Sequence, residues 1–312
     1  MFARTARRIL LLEFAAYGLA ALLAHASGFG WPAALAVIPS LAILARCIGV
    51  GMTFVVAAAL STSDERGQTA RHGRMRLVAA EIFWTTLAYS VLMPFPRLTG
   101  RADSEIAGGP GVVPVLLLHG YLCNRGIWAA MRRFLEANGV PAYTHDLEPV
   151  YAGIDDYVPA LAARIEEVCA KTGARQLAIV AHSMGGLAAR AYLRAHGPAR
   201  VATLVTLGTP HHGTRTAPFG LGENARQMHP WSAWLESLAR AESAGAARVQ
   251  LTSIYTGDEN VVVPAESSVL AQGRNIGLSG MGHVSLAYSA PVQKLVLENV
   301  RAIRVQEPGR SV

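Results

Sequence analysis

Three long apolar stretches open the chain, at residues 9–24, 32–60 and 77–95, and each approaches or exceeds the ~20 residues a helix needs to cross a bilayer. A cleaved leader would account only for the first, and no cleavage pattern is followed by soluble sequence, so the pattern predicts membrane helices. Farther on, short apolar runs alternate with amphipathic segments. Strands are expected at 113–118, 141–146, 177–182, 201–207, 249–255 and 274–278, and helices near 127–138, 157–171, 186–196 and 291–300. Continuous apolar strands separated by helices predict an α/β class with a mostly parallel sheet and helices on both faces.

Composition divides the chain in the same way. Its 312 residues are 52% hydrophobic and 16% charged, too apolar for a purely soluble enzyme of this length. Residues 1–101 carry ten Lys+Arg against four Asp+Glu, so nearly all of the formal +7 lies at the front. The remainder is close to neutral and has no basic stripe interleaved with aromatics, which excludes nucleic acid as a partner. The expected organisation is a membrane anchor over 1–96 with two or three spans, a Pro/Gly-rich linker over 97–111 that separates it from the rest, and a catalytic domain over 112–305. Within the anchor, Glu13 and Glu81 lie near their segment ends, within reach of the interface, while Arg46 either snorkels or pairs with a carboxylate.

Candidate chemistry clusters at strand ends. Ala181-His182-Ser183-Met184-Gly185 joins an apolar run to a helix-like stretch. Small residues on both sides of a serine at such a turn fit a nucleophile elbow, which pushes the hydroxyl clear of the backbone and aims it at a base. Upstream, the apolar run 114–118 ends in His119-Gly120-Tyr121, where the glycine permits a sharp turn. The Tyr121 and Met184 N–H groups are therefore the expected oxyanion donors. His119 is expected to orient this loop. With Gly120, Trp128 and His182 it is counted among the residues bordering substrate. Downstream, the glycine-flanked His283 follows the last strand and is the expected general base. The acid belongs in the turn after strand 249–255, where either Asp258 or Glu259 suits.

These strings together, His-Gly-Tyr-x-Cys-Asn, Ala-His-Ser-Met-Gly-Gly, Leu-Gly-Thr-Pro-His-His-Gly and Gly-x-Gly-His, resemble bacterial lipases and esterases of the α/β-hydrolase superfamily over about residues 113–300. The resemblance implies the α/β-hydrolase fold and a Ser-His-acid triad acting on lipid or other carboxylic esters through an acyl-enzyme, without cofactor or metal. In such relatives the acid is commonly an Asp before Asn, two apolar residues, one variable residue and Pro. Laid on this chain, that pattern selects Glu259, with Asp258 as the alternative acid. Acyl transfer by the same triad, or a non-catalytic module binding lipid or a partner, are the competing functions.

Three further features carry expectations. Cys123 and Cys169 are read as buried thiols rather than a disulfide, and His211-His212 as structural, since no spacing supplies further metal ligands. An insertion at about 213–248 holds Trp231, Trp234, Leu235 and Leu238 at helical spacing, a stripe suited to a lid. Arg4, Arg7 and Arg8 precede the first span, and Arg66, Arg71, Arg74 and Arg76 precede the third. With three crossings the positive-inside rule puts the catalytic domain on the periplasmic side of a bacterial inner membrane.

Overall fold

The computed structural model describes residues 1–62, 71–99, 101–109, 111–244 and 249–303. Arg66, the side chain of Arg71, Gly100 and Pro110 of the linker, residues 245–248 of the insertion and residues 304–305 of the expected catalytic domain lie outside that description.

The apolar stretches form α1 (Phe2–Ala26), α2 (Trp31–Leu60) and α3 (Arg71–Leu87), the last continuing through one π turn at Ala88–Leu92. Among the described residues, three helices are long and apolar enough to cross a membrane: Phe2–Ala26, Trp31–Leu60 and Gly73–Leu92. Pro32 starts α2 without loss, because the first-turn N–H groups have no partner inside a helix anyway. After the short α4 (Pro96–Thr99) come β1 (Val115–Leu118), α5 (Ala129–Ala137), β2 (Ala142–His145), α6 (Val158–Thr172), β3 (Leu177–His182), α7 (Met184–His196) and β4 (Val201–Leu207). The short α8 (Glu223–Gln227), α9 (Ala233–Ala244), β5 (Gln250–Thr256), β6 (Arg274–Leu278) and α10 (Ala290–Arg301) complete it.

The six strands are parallel, in the order β2-β1-β3-β4-β5-β6. Alternate residues feed two cores. Leu117 and Val180 pack with Met131 of α5 and Val296 of α10 on one face, while Leu116 and Ile179 pack with Ile165 of α6 and Leu187 of α7 on the other. Cys123 and Cys169 belong to opposite cores and are free thiols. The order reverses between β1 and β3, so their carboxyl ends diverge into the crevice where open α/β sheets bind ligands.

The linker is fastened along the sheet. Thr144 N and the Arg164 guanidinium donate to Ala102 O, and Asp103 accepts from Arg164 and Lys171. The N-terminal helices touch the α/β domain directly, with Ala88 and Met93 wholly buried in its core and Trp84 stacked on Tyr288 at 4.7 Å.

The insertion departs from the expected stripe. Its helix α9 begins at Ala233, leaving Trp231 before it at φ 60° and 82% exposed. Leu235 and Leu238 are buried, and Trp234 Nε1 donates to Asp155 at 2.9 Å. Burying the two leucines fixes α9 against α7, so these residues act as core rather than as one movable apolar face.

Candidate active site

Ser183 stands between β3 and α7 at φ 55°, a conformation costing on the order of 1–3 kcal/mol for a residue with a side chain. Three contacts hold it there. Ser183 N donates to Leu207 O at 2.9 Å, while Ser183 O accepts from Gly186 N at 3.0 Å and Thr209 Oγ1 at 2.8 Å. The neighbouring glycines are required by space: a Cβ on Gly185 would lie 2.5 Å from His119 O, and one on Gly186 would lie 2.2 Å from Thr209 Oγ1. The His119-Gly120-Tyr121 turn closes over the serine, since a Cβ on Gly120 would come within 2.7 Å of Ser183 Cβ.

His283 Nδ1 lies 2.7 Å from Glu259 Oε1, and both side chains are almost wholly buried. The other carboxylate oxygen, Oε2, accepts from the backbone N–H groups of Asn260, Val261 and Val262 at 3.2, 3.1 and 3.0 Å. That fan of donors fixes the Glu259 carboxylate in place, with Oε1 facing the imidazole. Asp258 points elsewhere and accepts from Gly280 N at 2.7 Å, bracing the loop that leads to His283. Burial alone would depress the His283 pKa, but the charge and hydrogen bond of Glu259, with the Glu81 charge behind, outweigh it and raise the pKa above its ordinary value.

The other expected residues hold the site in place rather than line it. Buried His119 accepts from Leu147 N at 2.9 Å through Nε2 and sits 2.9 Å from Gly120 O through Nδ1, which fixes the turn. His182 Nε2 contacts His283 O at 3.1 Å, and burial first, then the neighbouring His283 charge, pushes its pKa down to about 3. It is thus a neutral ring packed under the base. Trp128 is fully buried in the core. Trp231 and Trp234 lie on the insertion as described above. His211 is locked between Thr206 Oγ1 and Arg190 Nη1 at 3.1 and 3.2 Å.

One residue was misplaced by sequence reasoning. Glu81, expected to reach the membrane interface, is wholly buried against the loop following His283. Its carboxylate accepts from Val284 N at 2.8 Å, Ser285 N at 3.0 Å and the Ser285 hydroxyl. A second tie comes from α2, where Thr53 Oγ1 accepts from the Asn260 amide at 2.8 Å while Asn260 Oδ1 accepts from His283 N at 2.8 Å. The signal available in the sequence was a carboxylate inside an apolar stretch, a costly placement that needs a partner.

Sheet order, elbow and switch point together define the α/β-hydrolase fold. A family profile described as the alpha/beta hydrolase fold matches residues 113–256. Among curated proteins, a triacylglycerol lipase of Burkholderia plantarii is 26% identical over 234 residues, covering 68% of this chain and 62% of its own length. A triacylglycerol lipase of Pseudarthrobacter phenanthrenivorans is 27% identical over 181 residues, covering 54% of this chain and 55% of its own. The chain therefore spans somewhat more than half the length of these relatives. Among solved structures, the mature form of a Bacillus licheniformis lipase superposes with a TM-score of 0.57 at 19% identity, covering 62% of this chain and 96% of that one.

Proposed function

We propose that this protein is a membrane-anchored serine hydrolase that cleaves carboxylic esters of lipids through an acyl-enzyme. The observation that carries the reading is the buried Glu259–His283 pair, 2.7 Å apart, at the sheet end that bears the strained Ser183. Ser183 Oγ attacks the ester carbonyl as His283 takes its proton, and Glu259 holds the imidazole tautomer and offsets its developing charge. The N–H groups of Tyr121 and Met184 are assigned to the oxyanion. Protonated His283 then gives that proton to the leaving alcohol as the ester C–O bond breaks, and water, deprotonated by the same base, attacks the acyl-enzyme and releases the acid. Similarity to proteins described as triacylglycerol lipases supports a lipid or other carboxylic ester as substrate.

The contacts favour two membrane crossings over three. Helix α3 is engaged with the hydrolase from Glu81 to Met93, a length of about 18 Å, which leaves too little of it to span a bilayer. Both ends of the α1–α2 hairpin also meet the hydrolase, Phe2 N donating to Glu148 at 3.0 Å and Arg215 Nη1 to Leu60 O at 2.8 Å. The hydrolase then shares a side with Arg4, Arg7 and Arg8, and the positive-inside rule makes that side cytoplasmic rather than periplasmic.

The catalytic reading is tested with a fluorophosphonate probe on the full-length protein. Wild type should be labelled and Ser183→Ala should not. An unlabelled wild type with intact fold would reduce the chain to a lipid-binding module.

A further inference from the structure

A cavity of about 500 Å³ lies between α1 and the hydrolase domain, within the ~300–1,000 Å³ typical of small-molecule sites. Ala6, Ile9 and Leu10 of α1 form one wall, and Leu122 and Tyr151 of the hydrolase form the other. The charged pair in the lining, Glu13 and Arg46, is internally satisfied: Arg46 Nη2 donates to Glu13 Oε2 at 2.9 Å and to Ser90 Oγ at 3.2 Å, and Tyr17 donates to Glu13. A space walled by hydrocarbon, with its ions already paired, favours an apolar occupant.

Position narrows the choice of occupant. On α1, Ile9, Leu11 and Leu12 are 59%, 71% and 73% exposed, as suits a helix leaving the hydrolase for lipid. The cavity therefore sits at the bilayer surface. Its hydrolase wall adjoins the turn over Ser183 along the chain: Leu122, at φ 51°, directly follows Tyr121, and Gly120 packs on Ser183. Tyr121 and Tyr151 rings are 6.4 Å apart, and the Tyr121 hydroxyl bonds the backbone of Leu221, which with Phe219 is exposed. Apolar side chains thus extend from the bilayer-facing helix to the turn over the serine.

We infer that this cavity is the acyl-chain site, filled sideways from the bilayer by one chain of a membrane lipid whose ester carbonyl reaches Ser183. Helix α1 is then part of the substrate site as well as an anchor. The inference rests on the esterase reading and adds to it the route and the wall that select chain length.

The test compares p-nitrophenyl butyrate with p-nitrophenyl palmitate for full-length protein in phospholipid nanodiscs. Ala6→Phe narrows the cavity from α1, and Ala152→Phe narrows it from the hydrolase side. In each, the palmitate-to-butyrate ratio of kcat/KM should fall about tenfold or more, as for removing a few methylenes' worth of pocket. Leu11→Phe, on the exposed face of α1, should leave the ratio as in wild type. An unchanged ratio in the two cavity variants, or an equal fall in Leu11→Phe, overturns the inference. If one cavity variant loses both activities through misfolding, the ratio in the other decides. A wild type that turns over neither ester would instead overturn the esterase reading.

Discussion

Glu259 and Asp258 are adjacent carboxylates with different work, and the difference lies in what each faces. Glu259 meets His283 Nδ1 with one oxygen and three backbone donors with the other, whereas Asp258 braces Gly280. Glu259→Gln should therefore lower kcat by roughly 10⁴, the cost of losing the tautomer-fixing charge, while Asp258→Asn stays within a few-fold. Steady-state kinetics on a soluble ester checks this, and the reverse order would transfer the role. On the proposed mechanism the neutral form of His283 is the base and its pKa is raised, so kcat/KM should climb through a limb centred above pH ~6.5. Glu259→Gln removes the principal upward influence, so the residual activity should show that limb displaced to lower pH.

Among the elements, α3 is the one whose behaviour departs most from its composition. An apolar helix carrying one carboxylate reads as a span, yet Glu81 ties that helix to the loop that follows His283. Burial pushes the Glu81 pKa up, and the three donors that converge on its carboxylate oppose that shift without cancelling it. The charged and titratable groups around His283 are then Glu259 directly, Glu81 behind and the neutral His182 ring at 4.6 Å. Glu81→Gln should lower kcat with little change in KM, and should move the acid limb of kcat/KM downward as a negative charge is lost. A purely structural role would lower the melting temperature and leave the limb where it was, and Ser285→Ala, which removes one donor, separates the two effects.

For the whole molecule, the decisive feature is that anchor and hydrolase share a core. Met93 and Ala88 are fully buried beside Trp128 and Leu286, so the N-terminal segment completes the catalytic domain instead of tethering it. The two-crossing arrangement predicts that a cytosol-only fluorescent reporter fused at the carboxyl end glows, and that alkaline phosphatase at the same place is inactive. The opposite pair of results would restore three crossings and a periplasmic hydrolase.

What the sequence determined by itself is local. Strand β3 at Leu177–His182 falls where its apolar run places it, and β4 at Val201–Leu207 likewise, because a strand buried on both faces is mainly apolar, whereas β6 at Arg274–Leu278 is a largely exposed edge strand. The serine elbow was legible for a similar reason, since small residues at fixed spacing are the only ones a strained turn admits. Tertiary structure decided the rest. Which of two neighbouring carboxylates meets His283 depends on a turn one residue either way, which no periodicity encodes. Trp128 and Trp231, alike in composition, end respectively in the core and in solvent. Glu81 finds its donors more than 200 positions away, at Val284 and Ser285. A buried carboxylate must be satisfied by some partner, and the sequence states that need without naming the partner; only the folded chain brings the two together.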